Sequence, residues 1–132
     1  MTLQVALVVP DGQIWGGRAE MVIAKTLDGD IGVYTGHAPV IGILVEGSLV
    51  RIRPEGDAAE VSAAVGGGFF SIANDRVSIL AREAQLGTDI DTAAAQAALD
   101  AALEEAGPGG QETADVRYYR AQLRAAGSGS GS

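Results

Sequence analysis

Leu3-Gln4-Val5-Ala6-Leu7-Val8-Val9-Pro10-Asp11-Gly12-Gln13-Ile14-Trp15-Gly16-Gly17 decides the fold class of this chain. Leu3, Val5, Leu7 and Val9 alternate with Gln4, Ala6 and Val8, the period of two that marks a half-buried strand. Pro10-Asp11-Gly12 reads as a turn. Ile14-Trp15 begins a second strand, within which Gly16-Gly17 predicts a bulge or sharp bend. Met21-Val22-Ile23-Ala24 continues that strand, and Leu27-Asp28-Gly29-Asp30 ends it in a polar turn.

Working outward, further short strands are predicted over 31–34, 40–45, 48–53, 60–65, 69–72 and 77–80. Glu46-Gly47, Pro54-Glu55-Gly56-Asp57 and Asn74-Asp75 separate them as turns. Leu49, Val50 and Ile52 against Ser48, Arg51 and Arg53 give one dry and one wet face. Many short strands with glycine-rich punctuation predict a two-layer antiparallel β-sandwich over 1–87.

The composition changes after Gly87. Residues 89–106 are rich in Ala, with Leu99 and Leu103 one helical turn apart and Ala95, Ala98, Ala102 and Ala106 nearby. Thr88 or Asp91 can cap this helix by accepting from an orphan backbone N–H. Gly107-Pro108-Gly109-Gly110 stops it, and Thr113 or Asp115 opens a second helix in which Val116, Tyr119 and Leu123 share a face. A C-terminal helical hairpin over 88–126 follows, with 127–132 read as a flexible Gly/Ser tail.

Bulk properties narrow the function. The 132 residues, 47% of them hydrophobic, suffice for one compact core plus an appendage. With no cysteine, disulfides and thiolate zinc sites are excluded. A net charge of −8 disfavours nucleic acid and anionic lipid as partners. Met1-Thr2-Leu3-Gln4-Val5 shows no basic n-region, so no signal peptide is expected, and no run approaches the ~20 apolar residues of a bilayer span. Membrane association is expected only through a protein partner.

Residues that carry chemistry are sparse. His37 is the only histidine and has no cysteine, Gly-x-Ser-x-Gly elbow or Ser-x-x-Lys pair to work with, so it reads as a structural or interface residue. Asp28 and Asp30 flank Gly29 but lack the remaining ligands of a calcium loop; they read as a solvated acidic turn, or as one that docks on a basic partner. Gly66-Gly67-Gly68 precedes another strand rather than a helix, which fits a strand corner and not a phosphate loop. Arg117, Arg120 and Arg124 recur at helical spacing: either a solvated face or a contact with an acidic protein surface. No catalytic residue, metal or cofactor is expected.

Gly29-Asp30-Ile31-Gly32-Val33-Tyr34-Thr35-Gly36-His37-Ala38-Pro39-Val40-Ile41 resembles the signature segment of the epsilon subunits of F-type ATP synthases. Ala64-Val65-Gly66-Gly67-Gly68-Phe69, Val77-Ser78-Ile79-Leu80-Ala81-Arg82-Glu83-Ala84, and Val8-Val9-Pro10 ahead of Ile14-Trp15-Gly16-Gly17 are also similar to that family. The similarity covers residues 2 to about 100 well and the last helix loosely. It implies a non-catalytic central-stalk subunit at the cytoplasmic face of the bacterial plasma membrane, joining gamma to the c-ring. The gamma interface would map to Pro10, His37, Ala38, Pro39 and Val40, and the c-ring interface to Asp28, Gly29, Asp30 and Ile31. The helices, folded on the sandwich or extended toward the alpha and beta subunits, would restrain ATP hydrolysis, with Arg117, Arg120 and Arg124 as the contact.

Two departures qualify the resemblance. Thr35 stands where the family usually has proline, which loosens the turn. Some relatives bind ATP through Ile/Leu-Asp-x-x-Arg-Ala; here Ile90 and Asp91 are kept but Ala94 replaces the arginine, so little ATP binding is expected. The alternative function is a stand-alone ligand- or nucleotide-binding sandwich with a helical lid, which the 5% aromatic content disfavours.

Overall fold

The structure, a computed structural model, describes residues 2–56, 58–107 and 113–129. Nine strands come first: β1 (Leu3–Val9), β2 (Gly12–Thr26), β3 (Gly29–Val33), β4 (Val40–Leu44), β5 (Ser48–Pro54), β6 (Val61–Val65), β7 (Gly68–Ala73), β8 (Arg76–Ala81) and β9 (Ala84–Leu86). A 3-10 turn (Gly87–Asp89) leads to α1 (Thr92–Ala106) and α2 (Ala114–Gly129). This is the expected sandwich followed by a pair of helices. No helix among the described residues is long and apolar enough to cross a membrane.

The strands run in the order β1-β8-β7-β4-β2-β5-β6-β9, with β3 beside β2 and a further β1–β2 pairing. Leu3, Val5, Leu7, Val50, Ile52, Phe70, Ile72, Val77 and Ile79 turn inward at alternate positions and are essentially inaccessible. Truncating the largest of them, Phe70, removes about 3–5 kcal/mol.

Three features differ from the sequence expectation. All ladders are antiparallel except β1–β8, which pairs Gln4 with Arg76 through Val8 with Leu80 in parallel. The irregularities of β2 lie at Ile14 and Glu20, the extra residues between the Leu7–Trp15 and Val8–Gln13 pairs and between the Ala19–Pro54 and Met21–Arg53 pairs. Gly16 and Gly17 instead stay in register with Ala6 and Val5. Gly17 leaves room for the indole: a Cβ there would come within 3.3 Å of the Trp15 ring. Finally, β9 is a three-residue strand antiparallel to β6, too short to show a period.

The helices pack in series. Asp91 caps α1, its carboxylate accepting from Ala94 N–H at 3.1 Å, and the Thr113 hydroxyl accepts from Val116 N–H at 3.2 Å at the start of α2. Val116 packs with Leu99 and Ala102 of α1, joined by Tyr119 and Leu123, as the shared face predicts. A second face of α2, formed by Tyr118, Ala121 and Ala125, lies on Ala64 of β6. Gln122 adds a hydrogen bond to Gln85 Oε1 of β9. The Gly-Pro-Gly-Gly connector beyond Gly107 lies outside the described residues. The second helix continues three residues into the stretch expected as a Gly/Ser tail, to Gly129, and 130–132 are outside the described residues.

Two glycines set how closely α2 approaches. A Cβ on Gly87 would stand 2.2 Å from the Ala125 carbonyl oxygen, and one on Gly47 would stand 2.5 Å from Arg117 backbone. Both neighbours are main chain and cannot rotate away. Gly87→Ala is therefore expected to lift α2 from β6, costing about 1–3 kcal/mol. Hydrogen exchange should show α2 amides losing protection while β1, β7 and β8 keep theirs.

Candidate functional site

The segment between β3 and β4 is an exposed loop tied down at two points. Gly36, at φ +82, donates its N–H to Asp75 Oδ1 at 2.7 Å, and His37 N–H reaches Tyr34 O at 3.3 Å. His37 Nδ1–H donates to Ala38 O at 2.7 Å. His37 and Val40 are half-buried, whereas Ala38 and Pro39 are exposed. The turn persists with Thr35 in the usual proline position because Asp75 holds Gly36 from outside the loop.

Asp75 escaped the sequence reading in this role. With Asn74 it forms the β7–β8 turn, both at positive φ (53 and 60), a conformation that Asn and Asp accept more readily than most residues. Its own carbonyl accepts from Gln4 N–H at 2.8 Å, so the turn, the start of β1 and the histidine loop form one end of the sandwich.

Pro10 belongs to the opposite end. It is exposed in the turn after β1, a full strand length, on the order of 20 Å, from the Gln4 end. Asp28, Gly29 and Asp30 are likewise separated from His37 by the length of β3 and are exposed, with Ile31 half-buried. Thr26 builds their turn: its hydroxyl donates to Gly29 O at 2.7 Å and accepts from Asp28 N–H at 3.3 Å.

Between the two ends lies a surface that the sequence does not announce. Ile43, Phe69 and Leu80 are register partners across β4, β7 and β8, and each is at least half exposed (51%, 55% and 50%). Ile41, 78% exposed, extends the row along β4, and Val8 of β1 stands opposite Leu80. Such residues resemble core in sequence, because alternation reveals two faces without saying which is covered. Among the described residues, no group of three or more His, Cys, Asp or Glu is placed to hold a metal ion.

Arg117, Arg120 and Arg124 line a groove of about 360 Å3 together with Asp30, and Arg117 also borders the apolar row at Ile43 and Phe69. Arg117 Nε donates to Glu46 O at 3.1 Å. The acidic turn and the arginine stripe, separate in sequence, thus meet here. Asp91 is occupied as a helix cap, and Ile90 packs against the Tyr118, Ala121 and Ala125 cluster.

A sandwich with an exposed apolar row and a docked helix pair is the architecture of a protein-binding subunit. The beta-sandwich domain of the ATP synthase Delta/Epsilon chain matches residues 2–87. The chain belongs to the ATP synthase Delta/Epsilon chain family. It is 47% identical over 125 residues to the ATP synthase epsilon chain of Thermobifida fusca (strain YX), covering 94% of this chain and 91% of that one. It is 43% identical over 122 residues to the ATP synthase epsilon chain of Streptomyces griseus, covering 92% and 97%. In fold it is similar to a chain in the Euglena gracilis mitochondrial ATP synthase (OSCP/F1/c-ring), with TM-score 0.76, 20% identity and coverage of 95% and 81%. A chain in the central stalk/c-ring structure of the Tetrahymena thermophila mitochondrial enzyme gives TM-score 0.58 at 14% identity, with coverage of 93% and 97%.

The Asp75 contact yields a test. Asp75→Ala removes the acceptor for Gly36 N–H and a residue tolerant of positive φ, and is expected to cost about 1–2 kcal/mol. Amide exchange at Gly36 should quicken in Asp75→Ala and stay slow in Asp75→Asn, which keeps both properties.

Proposed function

We propose that this chain is a central-stalk rotor subunit of a proton-translocating F-type ATP synthase, with no active site of its own. It ties the gamma subunit to the ring of c subunits and restrains ATP hydrolysis through its helices, in transient contact with alpha and beta. Near full-length relatives named ATP synthase epsilon chain support this reading. It sits peripherally at the cytoplasmic face of the bacterial membrane, held there by its partners.

The single observation that carries the gamma contact is the exposed apolar row on β4, β7 and β8. An apolar strip on a rigid sheet is a protein-docking surface in waiting. It also resolves the separation of Pro10 from His37. A partner lying along this face reaches Pro10 beyond the end of β1 and His37, Ala38, Pro39 and Val40 at the start of β4. The c-ring contact falls to Asp28, Gly29, Asp30 and Ile31, where exposed acids suit basic loops on a partner.

Ile43→Asp and Phe69→Ser are each expected to weaken binding to gamma by about 1–3 kcal/mol, roughly 10–100-fold. Their exposure predicts an unchanged melting temperature. Calorimetry against purified gamma decides: wild-type affinity in both variants removes this face from the interface.

In the docked helices Arg120 and Arg124 are exposed and Arg117 is half-buried, so the stripe offers guanidinium groups to an acidic surface on another subunit. Replacing Arg117, Arg120 and Arg124 together with Ala is expected to raise ATP hydrolysis by the assembled enzyme. An unchanged hydrolysis rate excludes the stripe from inhibition.

A further inference from the structure

The apolar row does not end on the sheet. Near the β4–β5 turn, Ile43 and Phe69 open into a recess of about 500 Å3, which Leu27, 67% exposed, borders from the β2–β3 turn. Glu46, Arg82 and Arg117 also line it, and Arg117 comes not from the sandwich but from the first turn of α2.

Close contact holds Arg117 in this wall. Its Nε donates to Glu46 O at 3.1 Å, and a Cβ on Gly47 would stand 2.5 Å from its carbonyl carbon. The Glu46 carboxylate in turn pairs with Arg82, which also donates to Gly66 O at 3.3 Å. With these polar groups engaged, what the recess offers is packing surface. Leu27, Ile43 and Phe69 supply most of it, and an arginine whose head is bonded lays its methylene stem along such a wall. That surface suits a large apolar side chain rather than a charged one.

We propose that gamma seats a large apolar side chain in this recess, against Arg117, and so binds the chain more tightly with α2 docked than with α2 lifted. This rests on the reading that gamma lies along the apolar row, with which the recess is continuous through the Ile43–Phe69 pair. Any opening that lifts α2 from β6 carries Arg117 away and removes one wall, so the contacts made there are lost. Linkage makes the effect reciprocal: bound gamma holds α2 down by the same factor by which docking improves its affinity. The effect reaches Ala121 and Ala125, which lie on β6 and border no part of the recess.

The test compares amide exchange of the full chain alone and saturated with purified gamma, beside calorimetric affinities. Exchange at Ala121 and Ala125 is expected to slow about fivefold or more. Arg117→Ala should weaken gamma binding roughly tenfold and abolish the slowing at gamma saturation. Since Arg117→Ala also loosens α2 itself, Gly87→Ala, which lifts α2 but borders no part of the recess, is its control: there gamma still slows α2. Slowing that persists in Arg117→Ala overturns the proposal. Weakened binding in Ile43→Asp, with wild-type α2 exchange unmoved by gamma, leaves gamma on the row and overturns only its seat against Arg117. Wild-type affinity in both Ile43→Asp and Phe69→Ser removes gamma from this face altogether, and the proposal with it.

Discussion

One strand has to serve both layers of this sandwich. The fifteen residues of β2 pair with β1 along their first half, with β3 and β5 along their second, and reach β4 at Thr26. A flat strand cannot do this. The extra residues at Ile14 and Glu20 raise its twist locally and let it pass from one layer to the other. The positions of the acidic turn, the histidine loop and the apolar row follow from that passage. The acidic turn sits where β2 folds into β3, the histidine loop where β3 leaves for β4, and the apolar row on the layer that β2 closes.

Much of this was legible beforehand because local chemistry and tertiary structure agree. The alternation in β1 and β5 and the Asn74-Asp75 turn survive folding unchanged, and of the two candidates for each cap Asp91 and Thr113 are the ones that bond the helix N-termini. What stayed hidden is relational. Ala121 and Ala125 are as compatible with solvent as with burial, so the second buried face of α2 had no signature. Ile41, Ile43 and Phe69 look like interior residues until the register shows them pointing outward. The meeting of Asp30 with the arginine stripe depends on where the helix lands, which no spacing encodes. The glycine pair at 16–17 misled in a different way, since Gly16 makes room for the Gln13 side chain and Gly17 for the Trp15 ring while both stay in register with β1.

The seam between helix and sandwich is built from small groups. Ala64, Ala121 and Ala125, with Gly47 and Gly87, allow near contact of main chains but bury little apolar area per residue. Tyr118 is the largest buried side chain of that cluster; burial first, and the charge of Glu83 second, push its phenol up to about 12, against a hydrogen bond with Gln122. It therefore stays neutral throughout the physiological range. A contact of this kind is specific in geometry and modest in strength.

The parallel β1–β8 ladder has a consequence for the order of events during synthesis. Gln4 to Val8 pair with Arg76 to Leu80, so the first strand made waits for almost the last strand of the sandwich. Until that late segment clears the ribosome, the β8-facing edge of β1 has no native partner and remains open to other chains. The helical pair follows immediately behind, and its landing place on β6 is complete only once β9 and Gly87 have emerged. The nascent chain thus acquires its body late and all at once, and its helical pair last.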